Sequence, residues 1–440
     1  MYNVQQTKVK QTLQVKFHQF LNKYKKTLTL PEYKFLQDIC LGIVKGQSVI
    51  NHKIAGTLFE SITVKKTCER FTRHLNKQYL GEKLQARTIK MQCRCFDNET
   101  AIIVDESDII KAEAKQMEGL QTVRDGSTGK HDQLGYALLN MIAYHDSRQG
   151  YEIKLISSDL IARDMELDSV SHIIEDRLID IVIASGNKGV YLFDRGYDHR
   201  HLYRFLHENG MSYVIRATGE RNLIVNGCEQ NFLEVAKSVK LNMTYALHGS
   251  NQHIDCGIKR VKLRLNPHPR KHPDTIDTWL IVSRFSPDNK GKQGYFYFLC
   301  DFPSQPQLTV EAIAEKALRM YRMRWKIEEV HRHVKQEYGW EKMQLTSYTR
   351  LKNMNQMLLI AMCYLYSLKK YAYVFLDAFP SIMKYSNNRW KQIFDFVYYR
   401  LSALLTVCMG TVTRNNINPY AGNWLDYNQL EIACYKNGGM

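Results

Sequence analysis

The chain has 440 residues, of which 44% are hydrophobic and 11% aromatic, so it can fold around one or more cores and is not intrinsically disordered over most of its length. Lysine and arginine number 61 against 44 aspartate and glutamate residues, a formal net charge of +17. Such an excess favours nucleic acid as the partner, with an anionic membrane surface as the rival interpretation.

Most of the excess charge lies in an N-terminal region with helical patterning. Residues 1–94 hold 18 Lys and Arg against five Asp and Glu. Three helices are predicted there: from Leu30 to a break at Gly46-Gln47-Ser48, over 52–59, and from Thr63 through Leu75. Short helices with a basic last helix predict a helix-turn-helix-like DNA-binding domain over residues 1–95. An ordinary basic helical bundle is the alternative.

The pattern changes to strands near residue 100. Two apolar runs, 101–104 and 189–193, predict buried strands that end in Asp105 and Asp194. Further strands are predicted over 136–139, 151–156 and 212–216, and helices over 173–183 and 199–207. Successive strands followed by alternation with helices predict an α/β or α+β core, whose first part spans 96–217.

A β-rich insertion is predicted over residues 218–308. Short alternating strands such as Lys259–Leu265 and Thr278–Val282 indicate it. The segment 259–271 carries six Lys and Arg and no acid, which fits a DNA-contacting arm or lysines that protect an exposed edge strand. Helices are predicted from Val310 onward, divided into 309–350, which completes the core, and a C-terminal region over 351–440.

The segment from Tyr321 to Lys335 is predicted to be one helix. At 100° per residue an apolar stripe of Met323, Ile327, Val330 and Val334 lies on one side. The opposite side holds four polar residues within an arc of about 60°, with Arg332 beside them on the same face: Tyr321, Arg324, Glu328 and Lys335. Glu329 lies about 100° away from Glu328. This polar face is either a surface with an Arg324–Glu328 ion pair or a phosphate-binding face beside a metal ion.

The two strand-end aspartates favour the second interpretation. Ligands and metals gather at the carboxyl ends of strands in α/β sheets, where Asp105 and Asp194 are expected. Together with Glu328 they predict a metal-dependent phosphodiester site that holds two Mg²⁺ ions, with Mn²⁺ as a possible substitute. Asp108 is the alternative to Asp105 and ranks second, because it is predicted to lie beyond the end of the strand.

At these residues the chain resembles a family. The spacing Tyr321-x2-Arg324-x3-Glu328-x6-Lys335 is similar to the Y-R-E-K signature of DDE transposases from bacterial insertion sequences, in the group conventionally numbered four. The segments 103–109 and 192–197 resemble that group's two aspartate motifs. The resemblance covers roughly residues 100–345.

The resemblance implies an RNase H-like fold interrupted by the insertion. Asp105, Asp194 and Glu328 would be the catalytic, metal-binding triad. The residues that would bind DNA at the transposon end are Tyr321, Arg324 and Lys335, with Arg332 on the same face. Trp279 is a candidate to stack on a flipped base.

The implied activity is cut-and-paste transposition. Such an enzyme cleaves double-stranded DNA at terminal inverted repeats through a hairpin, joins the 3′-hydroxyl to target DNA, and acts as a homodimer in a synaptic complex. Residue chemistry alone supports only metal-dependent cleavage, so a stand-alone RNase H-like nuclease and an inactive DNA-binding regulator stay open as alternatives. Ten scattered cysteines, without an apolar run long enough to span a bilayer, predict a reduced, soluble intracellular protein without a membrane partner. The resemblance implies that this location is the bacterial cytoplasm, at the nucleoid.

Overall fold

The structure is a computed structural model that describes residues 2–111, 113–123, 133–147, 150–162, 165, 169–246, 253–266, 274–285, 294–383 and 396–416. The helices of these segments are α1 (Tyr2–Asn22), α2 (Leu30–Gly46), α3 (Asn51–Gly56), α4 (Val64–Leu75), α5 (Leu80–Cys93), α6 (Val170–Ser185), α7 (Arg200–Glu208), α8 (Phe232–Ser238), α9 (Val310–Arg322), α10 (Lys326–Tyr338), α11 (Tyr348–Ser367), α12 (Ala372–Asp377), α13 (Pro380–Met383) and α14 (Tyr398–Met409). The strands are β1 (Ala101–Ile110), β2 (Gln121–Val123), β3 (Gln133–Ser147), β4 (Gly150–Ile161), β5 (Val190–Phe193), β6 (Ser212–Arg216), β7 (Asn222–Val225), β8 (Cys228–Asn231), β9 (Met243–Ala246), β10 (His253–Arg264), β11 (Thr275–Phe285) and β12 (Tyr295–Asp301).

The described strands form one mixed sheet. Its order is β2-β3-β1-β5-β6-β12-β11-β10-β7-β8, with β4 paired to β3 and β9 paired to β10. The pairs β1–β5 and β5–β6 are parallel, whereas β3 and β4 pair in antiparallel fashion beside them. Antiparallel strands followed by two parallel neighbours, with helices on both faces, confirm the predicted α+β, RNase H-like fold class.

Each face of the sheet packs against its own set of helices. One apolar cluster joins alternate strand residues such as Ile103 and Leu192 to α9, α10, α11 and the N-terminal helices. A second cluster joins the intervening residues, such as Ile102 and Tyr191, to α6, α7 and α8. Because side chains alternate along a strand and both faces are covered, β5 and the first four residues of β1 are buried on both faces and apolar.

The N-terminal helices begin and end where local chemistry favours it. Thr29 and Glu32 form a capping box at the start of α2, and Gln47 ends that helix in the left-handed conformation. The Thr63 hydroxyl accepts a hydrogen bond from the Lys66 amide at the start of α4. The three helices predicted from the sequence in this region are therefore present, with α3 shorter than predicted, while α1 and α5 were not individually predicted.

The N-terminal helices pack against the C-terminal ones. Both α2 and α1 contact α14, and α2, α4 and α5 contact α11. The predicted boundary at residue 95 falls between α5 and β1. The division of the chain into five units remains a prediction.

The strands predicted in the insertion belong to the same sheet as the core strands. β12 pairs with β6 over four residues, so β10, β11 and β12 extend the core sheet sideways. β10 is paired on both sides, to β11 on one and to β7 and β9 on the other. On that side β7 pairs with β10 only at Lys262 and β9 only over 253–256, so both interpretations of the basic segment 259–271 stay open. Among the described residues, no helix is long and apolar enough to cross a membrane.

Candidate active site

Two aspartates follow directly after the central parallel strand pair. The last pair in register between β1 and β5 is Val104 with Phe193. Asp105 and Asp194 are the next residues in each segment, so both lie at the same edge of the sheet. Because side chains alternate, Asp105 lies on the face of Ile103, toward α9, α10 and α11.

Strand β1 does not end at Asp105, contrary to the prediction. It continues to Ile110 because β3 stays paired with it along its whole length. Asp108 therefore lies within the strand and not beyond its end, which corrects the reason for ranking it second. Asp108 comes three positions after Asp105, and side chains change face at every position of a strand. Asp108 therefore lies on the face opposite to Asp105.

The Asp105 carboxyl is surrounded by charges in a largely buried position. Its side chain is 18% exposed. Burial raises the pKa of Asp105 to about 7, the Arg324 guanidinium opposes this shift, and the carboxylates of Asp194 and Glu328 add to it. All three acids are therefore close enough to influence one another.

The segment from Tyr321 to Lys335 is not one helix, contrary to the prediction. α9 ends at Arg322 and α10 begins at Lys326, with a turn between them. Amides in this turn donate to carbonyls three residues back, as from Arg324 to Tyr321 at 3.0 Å and from Glu328 to Trp325 at 3.1 Å. This spacing tightens the chain into a 3₁₀-like turn and interrupts the α-helical ladder.

Because of this break, the 100° rule can place residues on a common face only within each helix. The 100° rule still connects Glu328, Arg332 and Lys335 within α10, but it does not connect them to Tyr321 on α9. The predicted apolar stripe is nevertheless buried or partly buried: Met323, Ile327, Val330 and Val334. Burial of this stripe holds the turn and α10 against the sheet.

Arg324 bridges two of the acids. Its Nη2 lies 2.6 Å from Glu328 Oε1, and its Nη1 lies 3.5 Å from Asp105 Oδ2. The neighbouring Glu329 instead pairs with Lys326 at 3.0 Å. Adjacent glutamates thus have different surroundings, and only Glu328 joins the cluster around Arg324, which we call the carboxylate cluster (Asp105, Asp194 and Glu328).

Tyr321 lies beside this cluster. Its ring packs against Phe298 with centroids 4.6 Å apart. Burial raises the pKa of Tyr321 to about 12, with nearby Arg324 and Arg216 opposing and Asp194 adding to the shift. The phenol therefore stays protonated and is available as a hydrogen-bond donor.

Arg216 is a residue of this site that the sequence analysis missed. It ends β6, the strand next to β5, and pairs across the sheet with Phe298. Its guanidinium lies 4.6 Å from the Phe296 ring centroid. The sequence could have indicated it, because Arg216 is a cation at the end of a predicted strand, and the two aspartates were identified by their positions at strand ends.

Lys335 lies near the other end of β1. Its Nζ donates to the Asp108 carbonyl at 2.5 Å and lies 4.0 Å from Glu341 Oε1. Buried Lys111 follows β1 and donates to the carbonyls of residues 340, 341 and 343 at 3.3, 2.7 and 2.8 Å. These contacts fix the end of α10 to the strand that carries Asp105.

The two remaining predicted site residues lie outside the cluster. Arg332 is exposed on α10, and its charge acts on Tyr399 of α14. Trp279 is on β11, with the Arg260 guanidinium 4.9 Å from its ring centroid. Through the registers of β12 and β6, Trp279 lies level with Leu192, three strands or about 14 Å from β5. Its stacking on a flipped base remains a prediction.

The donor chemistry of the cluster fits a hard divalent cation. Three carboxylates supply the oxygen ligands that Mg²⁺ and Mn²⁺ prefer. Within the described ranges, however, no three His, Cys, Asp or Glu side chains form a group that could hold a metal ion as they stand. Arg324 contacts both Asp105 and Glu328, so these two carboxylates face its guanidinium.

Comparison with known families agrees with this geometry. A family model described as the transposase DDE domain matches residues 101–366, which is more than half of the chain and includes every residue of the carboxylate cluster. No curated protein matches the chain.

Proposed function

The chain belongs to the family of the transposase DDE domain, and from this premise we propose that it moves an insertion sequence by cut-and-paste transposition. Membership implies nuclease and transesterase chemistry on DNA. The finer steps we propose are cleavage at terminal inverted repeats through a hairpin, followed by transfer of the 3′-hydroxyl to target DNA. We further propose that the insertion sequence belongs to the group numbered four, on the Y-R-E-K spacing.

The observation that carries the proposal is the convergence of three acids from three separate elements. Asp105 comes from β1, Asp194 follows β5, and Glu328 comes from α10. Residues far apart in sequence converge on Arg324 and influence one another's charge. Charge-perturbed acids that converge at the carboxyl edge of a parallel strand pair are typical of functional sites, and metal-dependent phosphodiester chemistry uses such carboxylates as ligands.

We propose that Asp105, Asp194 and Glu328 hold two Mg²⁺ ions, with Mn²⁺ as a substitute. Bound there, the cations would activate a water or 3′-hydroxyl and stabilise the leaving oxygen. Arg324 must release at least one carboxylate for the three to act as common ligands, since it bridges two of them. A DNA phosphate is a suitable new partner for its planar guanidinium.

We propose that four cationic or phenolic residues hold the transposon end by binding its phosphates. Tyr321 and Arg216 lie on the β6 side of the carboxylate cluster, and Arg324 lies in the turn before α10. Lys335 lies further along α10, beside the Asp108 carbonyl. Arg332, exposed one turn after Glu328, would contact phosphate further along the duplex, and Trp279 keeps its proposed stacking role.

The partners follow from the same activity. We propose that residues 1–95 bind double-stranded DNA at the terminal repeats, that 96–217 and 309–350 form the catalytic core, and that 218–308 is an insertion in it. Two copies would form the synaptic complex, and 351–440 would form a helical C-terminal region. The proposed location is the bacterial cytoplasm at the nucleoid.

One experiment separates this proposal from its rivals. A pre-nicked duplex carrying the ends of the coding element is incubated with protein, Mg²⁺ and a plasmid target, and products are resolved on a sequencing gel. A transposase yields strand-transfer products joined at the 3′-hydroxyl. Cleavage without joining would indicate a stand-alone nuclease, and binding without cleavage would indicate a regulator.

A further inference from the structure

We propose that one face of α4 enters the major groove and reads the bases of the DNA that the protein recognises. The recognition face consists of five residues of this helix: Lys65, Lys66, Glu69, Thr72 and Arg73. The inference rests on the proposed transposase function, which it deepens by assigning sequence recognition to one helix.

Helical geometry places these residues together. At 100° per residue the five fall within an arc of about 120°, opposite the stripe of Thr67, Phe71 and Leu75. That stripe is buried, with exposed fractions of 0 to 1%. Lys65, Lys66, Glu69 and Arg73 are exposed and Thr72 is half-buried. The helix is therefore anchored on one side and open on the other.

The beginning of α4 projects from the protein. Of residues 59–66, all except Glu60 are exposed. α4 packs on α2 and α3, which also pack on each other, and on α11. In helix-turn-helix proteins it is the N-terminal residues of the second helix of the motif that contact base edges.

A partly buried ion-pair network ties α4 to α2 and to the segment that precedes α4. Arg70 Nη2 lies 3.2 Å from Asp38 of α2 and 2.9 Å from Glu60, and Arg414 lies 2.8 Å from the same Asp38 oxygen. Glu60 also accepts a 2.6 Å hydrogen bond from the Thr67 hydroxyl. Arg70 therefore serves as a clamp, whereas Arg73, three residues later, is presented to solvent. Sequence alone counts both as basic residues of one helix.

The chemistry of the recognition face suits duplex DNA. Arginine and lysine donate to the acceptors of guanine in the major groove, and glutamate accepts from the amino group of cytosine. Three cations against one acid, in a region with 18 Lys and Arg against five acids, provide the attraction to phosphates. The groove is about 12 Å wide and admits an α-helix.

The test uses point variants of the full chain. Deleting residues 1–94 would remove helices that share a core with α11 and α14, so it would not isolate binding. A randomised duplex pool is first selected with wild-type protein in the absence of divalent metal. Affinity for the selected duplex and for its scrambled version is then measured by fluorescence anisotropy.

We expect Arg73→Gln and Lys66→Gln each to lower the selected-to-scrambled affinity ratio by about 5- to 100-fold, the cost of losing one base contact. Lys90→Gln, which removes the same charge from the exposed side of α5, should weaken both duplexes about equally and leave the ratio unchanged. Melting curves for the three variants should coincide with that of the wild type.

Each outcome decides the inference. An unchanged ratio in both α4 variants, or a wild-type protein that selects no sequence, overturns the role of α4. Loss of the ratio in Lys90→Gln to the same extent also overturns it, because charge alone would then explain the effect. If α4 variants lose the ratio while the strand-transfer experiment yields no joined product, α4 stands and the proposed transposase function fails.

Discussion

The central strands and the α9–α10 turn bring acids to the same place by different means. Asp105 is carried by β1, which is hydrogen-bonded to β5 on one side and to β3 on the other, and its side chain is 18% exposed. Glu328 lies in the first turn of α10, is 55% exposed, and is held by the ion pair with Arg324. The first region is fixed by backbone pairing on both sides, and the second by side-chain contacts at an edge.

This difference indicates which part of the site can change conformation. We call Asp105 and Asp194, at the strand ends, the fixed half, and Glu328 with Arg324 the adjustable half. Moving Asp105 would break ladder hydrogen bonds in the middle of the sheet, whereas Arg324 and Glu328 can change partners by rotating side chains. We therefore expect metal and DNA to reorganise the turn and to leave the strands in place.

Loss of any acid in the cluster should have the largest effect. Asp105→Asn, Asp194→Asn and Glu328→Gln should each reduce single-turnover cleavage of a pre-nicked duplex by about a thousandfold or more, because each removes a proposed metal ligand. DNA affinity should stay near that of the wild type, since lysine and arginine contacts with phosphates supply most of it.

Glu329→Gln is the matched control for that series. Glu329 pairs with Lys326 and not with Arg324, so its loss should leave cleavage within about threefold of the wild type. Equal loss for Glu328→Gln and Glu329→Gln would show that the separation of the two glutamates has no chemical meaning.

The second prediction concerns the adjustable half. Arg324→Gln should lower cleavage by about a hundredfold, the scale of losing one preorganised donor in a poorly solvated site. The melting temperature should change little, because the apolar stripe beneath the turn is untouched. Arg322→Gln removes the same charge from an exposed position two residues earlier and should leave the rate unchanged. Wild-type rates for Arg324→Gln would return the Arg324–Glu328 contact to a simple surface ion pair.

The third prediction concerns the pH dependence of stability, which reports whether the second half of α10 stays buried in the folded protein. His333 is fully buried, and its ring nitrogens lie 3.2 Å from Tyr366 Oη and 3.1 Å from Ser402 Oγ. Burial lowers the pKa of His333 to about 3. The unfolded chain takes up this proton near the ordinary pKa of about 6.5 and the folded chain does not, so stability should fall as the pH drops below that value.

The expected size follows from that shift. Between about pH 7.5 and pH 5 the free energy of unfolding should fall by about 2 kcal/mol through this residue alone. Urea unfolding at both pH values measures this fall in the free energy of unfolding. In His333→Gln the fall should be smaller than in the wild type by about this amount, whereas in His52→Gln, which replaces an exposed imidazole, it should equal that of the wild type. Equal drops in wild type and His333→Gln would mean that His333 is protonated in the folded protein.

Sequence patterns predicted the fixed half of the site well and the adjustable half poorly. Apolar runs ending in aspartate located Asp105 and Asp194 at one sheet edge because a short continuous apolar run is a local signal of a strand buried on both faces. The extension of β1 to Ile110 depends on pairing with β3, which no local pattern reveals. The turn at 323–325 replaces helical hydrogen bonds by shorter-range ones, and its residues break no helix rule, so a continuous helix was the natural prediction.

Two further features were not predicted, Arg216 in the site and the joining of the insertion strands to the core sheet. Arg216 enters the site only because β6 pairs in parallel with β5, a fact of topology. The insertion strands were recognised as strands, but their union with the core sheet through β12 and β6 is a long-range pairing. Both depend on pairing between segments that are distant in sequence, and the hydrophobic periodicity of one segment cannot predict such pairing.

The smallest effect is expected at Arg332. It is exposed on α10 one turn after Glu328, so it shares the face of the cluster, and its charge also acts on Tyr399 of α14. A residue in this position can attract a phosphate without touching the reacting groups. Arg332→Gln should therefore weaken selected and scrambled duplexes alike by a few-fold, and lower the slope of log affinity against log salt by about one. Cleavage at saturating DNA should equal that of the wild type. A loss of rate at saturation, as large as that of Arg324→Gln, would place Arg332 among the residues that act on the scissile phosphate and would extend the adjustable half of the site by a full turn of α10.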